Sequence, residues 1–276
     1  RMLYATESPS WHNALEQRRC WPTLSWKARP VALSREAATS AMRFSLPDPN
    51  TSPVCVTNLV DDWVKPLCLE YSGLLVKRPF FGKWDAYQPD IDDAHLRRFG
   101  KGESLRMTIV NERDEVLRLK QLHTSVEQLL STAGLPDGLS KQIFCDALSI
   151  GKSVGALCPS ARELEVKLEI FGENSCKRWH QDNYMGRAIV SYTGRTGTEY
   201  TGDANVDFWE LRNCGNNQCI IKDENNINAV SVGDILFMKG LKYPVGANGL
   251  VHKSPAATYH PDGRVVNRLC LKVDVS

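Results

Sequence analysis

Along this chain the spacing of apolar residues changes from helical to strand-like near residue 160. Within 105–134, Val116, Leu119, Leu122, Val126, Leu129 and Leu130 recur at three- and four-residue intervals. That period predicts an amphipathic helix ended by Gly134 and Pro136. A second helix is expected over 139–150, opened by the Pro136-Asp137-Gly138 turn. Past 160, Leu164-Glu165-Val166-Lys167-Leu168-Glu169-Ile170 alternates apolar and charged residues, as a half-buried strand does. Further strands are expected at 187–192, 206–212, 219–222, 228–232, 235–238 and 269–275. The turns between them are marked by Gly194, Gly197, Gly202, Asn216-Asn217, Gly233-Asp234, Gly246 and Gly263. Many short strands broken by regular turn signals predict a sandwich or jelly roll. Residues 1–60 mix Pro, Ser, Arg and Trp with no sustained period and read as short helices and loops. The expected organisation is α+β: a mainly helical region over 1–160 supporting a jelly-roll core over 161–276, as one compact unit.

Composition removes several classes. With 276 residues, 42% hydrophobic and 24% charged, the chain has the balance of an ordinary globular protein. A formal net charge of +2 without any Lys/Arg run gives no reason to expect nucleic acid. No apolar run is long enough for a transmembrane helix, so no membrane partner is expected. The nine cysteines are odd in number and contain no C-x-x-C pair, and no signal peptide is legible. Reduced thiols in a cytoplasmic protein are the expectation. The same scatter argues against a structural zinc site at Cys214 and Cys219. Gly151-Lys152-Ser153 resembles the end of a phosphate-binding loop, but Asp146 stands where the pattern requires Gly. Gly151 is read instead as a helix-ending glycine.

The candidate chemistry lies in Arg178-Trp179-His180-Gln181-Asp182. His180 and Asp182 are two apart, which on extended backbone puts both on one face. Three further features follow in order. An apolar strand runs over 233–238, His252 sits in Gly249-Leu250-Val251-His252-Lys253-Ser254-Pro255, and a last strand opens with Asn267-Arg268. Two histidines and a carboxylate on one face of an iron leave three coordination positions open for O₂ and a bidentate co-substrate. A dicarboxylate co-substrate also needs a fixed cation for its far end, and an arginine fork suits it. Arg268 is the first candidate for that cation and Arg264 the second. Each residue alone is uninformative, as are His12, His95, His123 and His260; the order on a β scaffold is what points to a metal site.

At these residues the chain resembles the cupin-like Fe(II)/2-oxoglutarate-dependent oxygenases, which carry an H-x-D/E…H triad and a late Arg on a double-stranded β-helix. Over roughly 140–276 it is more narrowly similar to a conserved domain family of unknown function. That narrower likeness rests on Cys176-x-Arg178-Trp179-His180-x-Asp182, the run from Arg187 through Ser191-Tyr192-Thr193-Gly194 to Gly197-Thr198-Glu199, Met238-Lys239-Gly240, His252-Lys253-Ser254-Pro255 and Arg268 to Asp274. The resemblance implies Fe(II) on His180, Asp182 and His252, with 2-oxoglutarate and O₂ as co-substrates. It implies Arg268 on the far carboxylate of 2-oxoglutarate, helped by the Tyr192 hydroxyl. It further implies a small amino-acid substrate, in some fungal members L-valine closed to an aziridine carboxylate. Arg187 is then a candidate for the substrate carboxylate, or a solvent-facing residue. Ile235 and Phe237 are candidates for the apolar pocket, or plain core. The arginine comes sixteen residues after His252, later than is usual in the superfamily, which keeps Arg264 in view. The alternative expectation is a non-catalytic, cupin-like metal-binding protein that handles zinc through the same triad.

Overall fold

The computed structural model describes residues 52–78, 85–97, 104–244 and 248–276. His12, Gly246 and most of the segment expected to form short helices and loops over 1–60 lie outside the described residues. The strands are β1 (Val54–Thr57), β2 (Gly73–Val76), β3 (Ser104–Val110), β4 (Glu163–Phe171), β5 (Gly186–Ser191), β6 (Glu199–Thr201), β7 (Asn228–Ala229), β8 (Ile235–Lys239), β9 (Val251–Lys253) and β10 (Arg268–Val275). The helices are α1 (Gln88–Arg97), α2 (Glu115–Ala133), α3 (Asp137–Leu157), α4 (Phe208–Asn213) and α5 (Asn217–Ile220).

Seven strands form one sheet in the order β1-β2-β8-β5-β10-β4-β3, antiparallel except for β1 on β2. A second sheet has the order β7-β6-β9, and His180 adds a bridge to its β9 edge through His252. Taken in chain order, β4, His180, β5, β6, β7, β8, β9 and β10 divide between the two sheets as a jelly roll requires. Ile189, Leu236, Met238 and Cys270 from the large sheet pack with Tyr200 and Leu250 between the sheets.

Charge alternation gave the faces of β4. Leu164, Val166, Leu168 and Ile170 join the core on the outer side of the large sheet, against α2 and α3. In α2, Leu122, Val126, Leu129 and Ala133 are buried at helical spacing, and in α3 Leu139, Ile143, Ala147, Ile150 and Val154 face them. Asp114 caps α2 by accepting from the Val116 and Leu117 amides, and Gly134 ends it at φ 57°. No helix among the described residues is long and apolar enough to cross a membrane.

Several expectations need correcting. The segment before α2 is the strand β3, and Val116, placed on the apolar face by periodicity, is 75% exposed. α3 continues past Gly151, which is interior rather than terminal: a Cβ there would lie 2.5 Å from Leu122 Cδ2, so the glycine admits close helix packing. The strands expected at 206–212 and 219–222 are instead α4 and α5, each opened by an Asp or Asn side-chain cap (Asp207, Asn216). The region before 160 is not only a helical support. It supplies β1, β2 and β3 to both edges of the large sheet, and the described residues fall in a single unit.

One close approach ties the fold to the residues of interest. Gly240, just past β8, packs so that a Cβ would sit 2.0 Å from the Tyr184 carbonyl oxygen and 2.9 Å from that of Asp182. Backbone cannot yield as a side chain does. Gly240→Ala should therefore lower stability by about 1–3 kcal/mol and shift the loop that carries Asp182. Thermal unfolding together with metal content would check this, the substitution reducing both.

Candidate metal centre

His180 and His252 are set by backbone pairing. Each amide donates to the other's carbonyl at 3.0 Å, so the loop after β4 is held to β9 as a single residue pair. The two imidazoles emerge on one face, with ring centroids 4.5 Å apart. Each ring also touches a carbonyl two residues back: His180 Nδ1 lies 2.8 Å from Arg178 O, and His252 Nδ1 lies 2.9 Å from Leu250 O. That partner requires the proton on Nδ1 and leaves each Nε2 lone pair free. Both Nε2 atoms point toward Asp182, at 3.8 Å from Oδ1 and 3.6 Å from Oδ2. One ligand atom from each of the three residues lies within 4.8 Å of the others.

The donor set fits a divalent cation on two further grounds. Burial pushes the His252 imidazole down to about 4, against the opposing pull of Asp182, so at neutral pH it is an uncharged ligand. Asp182 Oδ2 is buried and has no hydrogen-bond partner; its neighbour Arg187 Nη1 is 2.9 Å away but poorly aligned for one. A buried carboxylate oxygen left so has spare capacity that a cation would satisfy.

The tripeptide around His180 is braced from behind. Trp179 points away from the triad into a cluster with Val206, Leu211, Ile220 and Val251. Asn217 accepts from the Trp179 amide at 3.0 Å and donates to Lys177 O at 2.8 Å. Arg178 donates to the carbonyls of Leu211 and Cys214. The alternation Arg-Trp-His thus places one side chain on the triad and its neighbours on the layer outside.

Arg187 stands beside Asp182 but is committed to carboxylates. Its Nε and Nη2 reach Asp274 at 2.6 and 3.0 Å, and Asp274 also accepts from Lys167 at 2.9 Å. Burial works against the charge on each partner, yet the attraction wins: the Arg187 guanidinium is raised above its ordinary value and the Asp274 carboxyl lowered below its own. The pairing register puts Arg187 next to Met238 and Asp274 on the inner face of the large sheet.

Arg268 lies on that same face of β10. It is 5% exposed, its Nη2 donates to Ser254 Oγ at 3.3 Å, and its buried Nη1 has no partner. The guanidinium lies 5.5 Å from the Phe171 ring centre, and a small cavity bordered by Phe171, Ser175, Thr196 and Pro255 opens against it. Arg264 is by contrast an exposed side chain paired with Asp262 at 2.7 Å.

Three candidates sit elsewhere. Tyr192, Ile235 and Phe237 face the helices rather than the triad, because strand parity sends Arg187, Ile189 and Ser191 inward and Ala188, Val190 and Tyr192 outward. The Tyr192 hydroxyl donates to Asp146 at 2.7 Å, a carboxylate also held by Arg78. Phe237 stacks 5.8 Å from Trp63. The inner positions of β8 belong to Leu236 and Met238. Asp274 and Ser254 lie in motifs quoted from the sequence but carry no role there; the alternation Cys270, Lys272, Asp274 in an otherwise apolar last strand is the signal for the first.

Metal analysis checks the centre directly. His180→Ala and Asp182→Ala should each abolish stoichiometric binding of added iron(II), with the far-ultraviolet circular dichroism of the wild type retained, since neither side chain belongs to a core cluster.

Residues 87–274 match the model of a family described as a protein of unknown function, DUF1826. No curated protein matches the chain at the sequence level. Among solved structures the chain is similar to a dioxygenase for auxin oxidation from Arabidopsis thaliana in complex with 2-oxoglutarate, at TM-score 0.40 and 6% identity over 75% of this chain and 84% of that one. It is also similar to the Fe(II)/α-ketoglutarate-dependent dioxygenase TqaL, at 0.39 and 12% over 74% and 82%. A Pseudomonas putida prolyl-4-hydroxylase follows at 0.34 and 13% over 79% and 96%.

Proposed function

This chain belongs to the DUF1826 family of proteins of unknown function, and from that premise we propose that it is a non-haem iron(II)- and 2-oxoglutarate-dependent oxygenase acting on a small amino acid. The observation that carries the reading is the convergence within 4.8 Å of two free Nε2 atoms and a buried carboxylate oxygen that accepts no hydrogen bond and is ion-paired to Arg187. Two imidazoles and one carboxylate on one face suit iron(II) and leave room for O₂ and a bidentate ligand. Bound there, iron(II) would supply O₂ activation coupled to decarboxylation of 2-oxoglutarate, for removal of hydrogen from an unreactive C–H bond.

The residues of the chain take the remaining tasks. The carbonyls of Arg178 and Leu250 hold His180 and His252 in the ligating tautomer. Arg187 holds the Asp182 carboxylate, and Asp274 holds Arg187. Arg268 offers its free Nη1, with Ser254 beside it, to the far carboxylate of 2-oxoglutarate. Ser254 is two residues from His252 on the same stretch of chain, which aligns that anchor with the triad. Met238 lies next to Arg187 in register, and with Leu236 and Ile189 it forms the apolar inner wall. That wall takes the role first expected of Ile235 and Phe237, and it suits an aliphatic side chain.

The finer reading is closure of L-valine to an aziridine carboxylate. In net terms one N–H and the Cβ–H give way to a C–N bond, with succinate, CO₂ and water as co-products. The protein's contribution is to aim the Cβ–H and the amine at the centre while excluding water.

The test is succinate release by iron-loaded protein with O₂, ascorbate and 2-oxoglutarate, across a panel of small amino acids that includes L-valine. Succinate should form in step with substrate loss; none with any member of the panel would rule the oxygenase out. Arg268→Ala removes a buried charged donor worth about 3 kcal/mol and should raise the KM for 2-oxoglutarate roughly 100-fold. An unchanged KM would assign the far carboxylate to a different cation.

A further inference from the structure

Apart from the triad, a second cluster of ligating side chains lies on the helical corner behind His180. Glu210 and Cys214 are four residues apart across the end of α4, which puts them on one helix face. The chain then turns at Gly215-Asn216, and α5 brings Cys219 back, its amide donating to Asn216 O at 3.2 Å. One ligand atom from each of Glu210, Cys214 and Cys219 lies within 4.8 Å of the others.

We propose that Glu210, Cys214 and Cys219 form a second metal site, for a thiophilic divalent cation of the zinc class. Two thiolates and a carboxylate supply three of the four positions such an ion takes, and water supplies the fourth. The Asn216 amide donates to Cys214 Sγ at 3.4 Å, so the tight turn between the two cysteines closes on that sulfur. A divalent ion bound there would take both sulfurs as thiolates, releasing the thiol protons. The site lacks the C-x-x-C spacing by which such pairs are found in sequence, because a helical i, i+4 step and a tight turn replace it.

The placement gives the site a structural consequence. Arg178 donates to the Cys214 carbonyl at 2.9 Å, and Asn217, between the two cysteines, holds the Trp179 amide and the Lys177 carbonyl. An ion on this corner would therefore stiffen the support of the segment that ends in His180.

Cobalt(II) is the probe, added to the reduced full chain. A thiolate-to-cobalt charge-transfer band arises only where sulfur is bound, so a centre made of His180, Asp182 and His252 is silent in it. The band should appear, persist in Asp182→Ala and in Cys176→Ser, disappear in both Cys214→Ser and Cys219→Ser, and bleach on addition of zinc. Glu210→Gln should keep the thiolate band but weaken cobalt affinity at least about ten-fold; unchanged affinity would remove Glu210 from the site. Absence of the band, its undiminished survival in either serine variant, or a Cys214–Cys219 disulfide persisting under reductant would overturn the proposal. Because Asp182→Ala carries the test without the triad, its outcome is independent of the oxygenase reading.

Discussion

Two backbone hydrogen bonds, each 3.0 Å, join His180 to His252 and so fasten a loop to the edge of the small sheet. Everything at the triad follows from them. They fix the separation of the two imidazoles, and the carbonyls two residues back then fix the ring tautomers. Asp182, two residues on, turns its carboxylate to both Nε2 atoms, at 3.8 and 3.6 Å. Gly240 keeps the path of 182–184 tight against the end of β8. The geometry is thus imposed by main chain, which leaves the side chains free for ligation.

A second constraint is electrostatic. The inner face of the large sheet carries a row of charges running Glu165, Lys167, Asp274, Arg187, Asp182. Burying such a row is costly unless each charge meets its opposite, and here the signs alternate from the sheet edge to the triad. The row fixes Asp182 through Arg187. It also explains why Arg187, adjacent to the triad, serves a carboxylate of the protein, while Arg268 at the other end of β10 keeps an unused donor.

How much was legible in the sequence follows from the same physics. β4 announced its faces because one of them is charged. The convergence of His180, Asp182 and His252 is legible from order and spacing, since the jelly-roll topology brings these segments to one face. The strand β8 is legible at 235–238 but its faces are not, because all five of its residues are buried and an apolar run on both faces has no period to read. That is why Ile235 and Phe237 read as inward residues, whereas the structure turns Leu236 and Met238 inward. α4 and α5 were read as strands because short segments are decided by caps, and the signals at Asp207 and Asn216 were outweighed by apolar content. Val116 looks like part of the α2 stripe, yet it sits in the first turn of the helix and is exposed.

The most direct test of the central claim is the visible absorption of anaerobic, iron(II)-loaded protein on addition of 2-oxoglutarate. Chelation of 2-oxoglutarate by iron held on His180, Asp182 and His252 should produce a charge-transfer band that Asp182→Ala lacks and that Arg268→Ala reaches only at much higher 2-oxoglutarate. A protein that binds iron(II) at these residues and shows no spectral response to 2-oxoglutarate would contradict it.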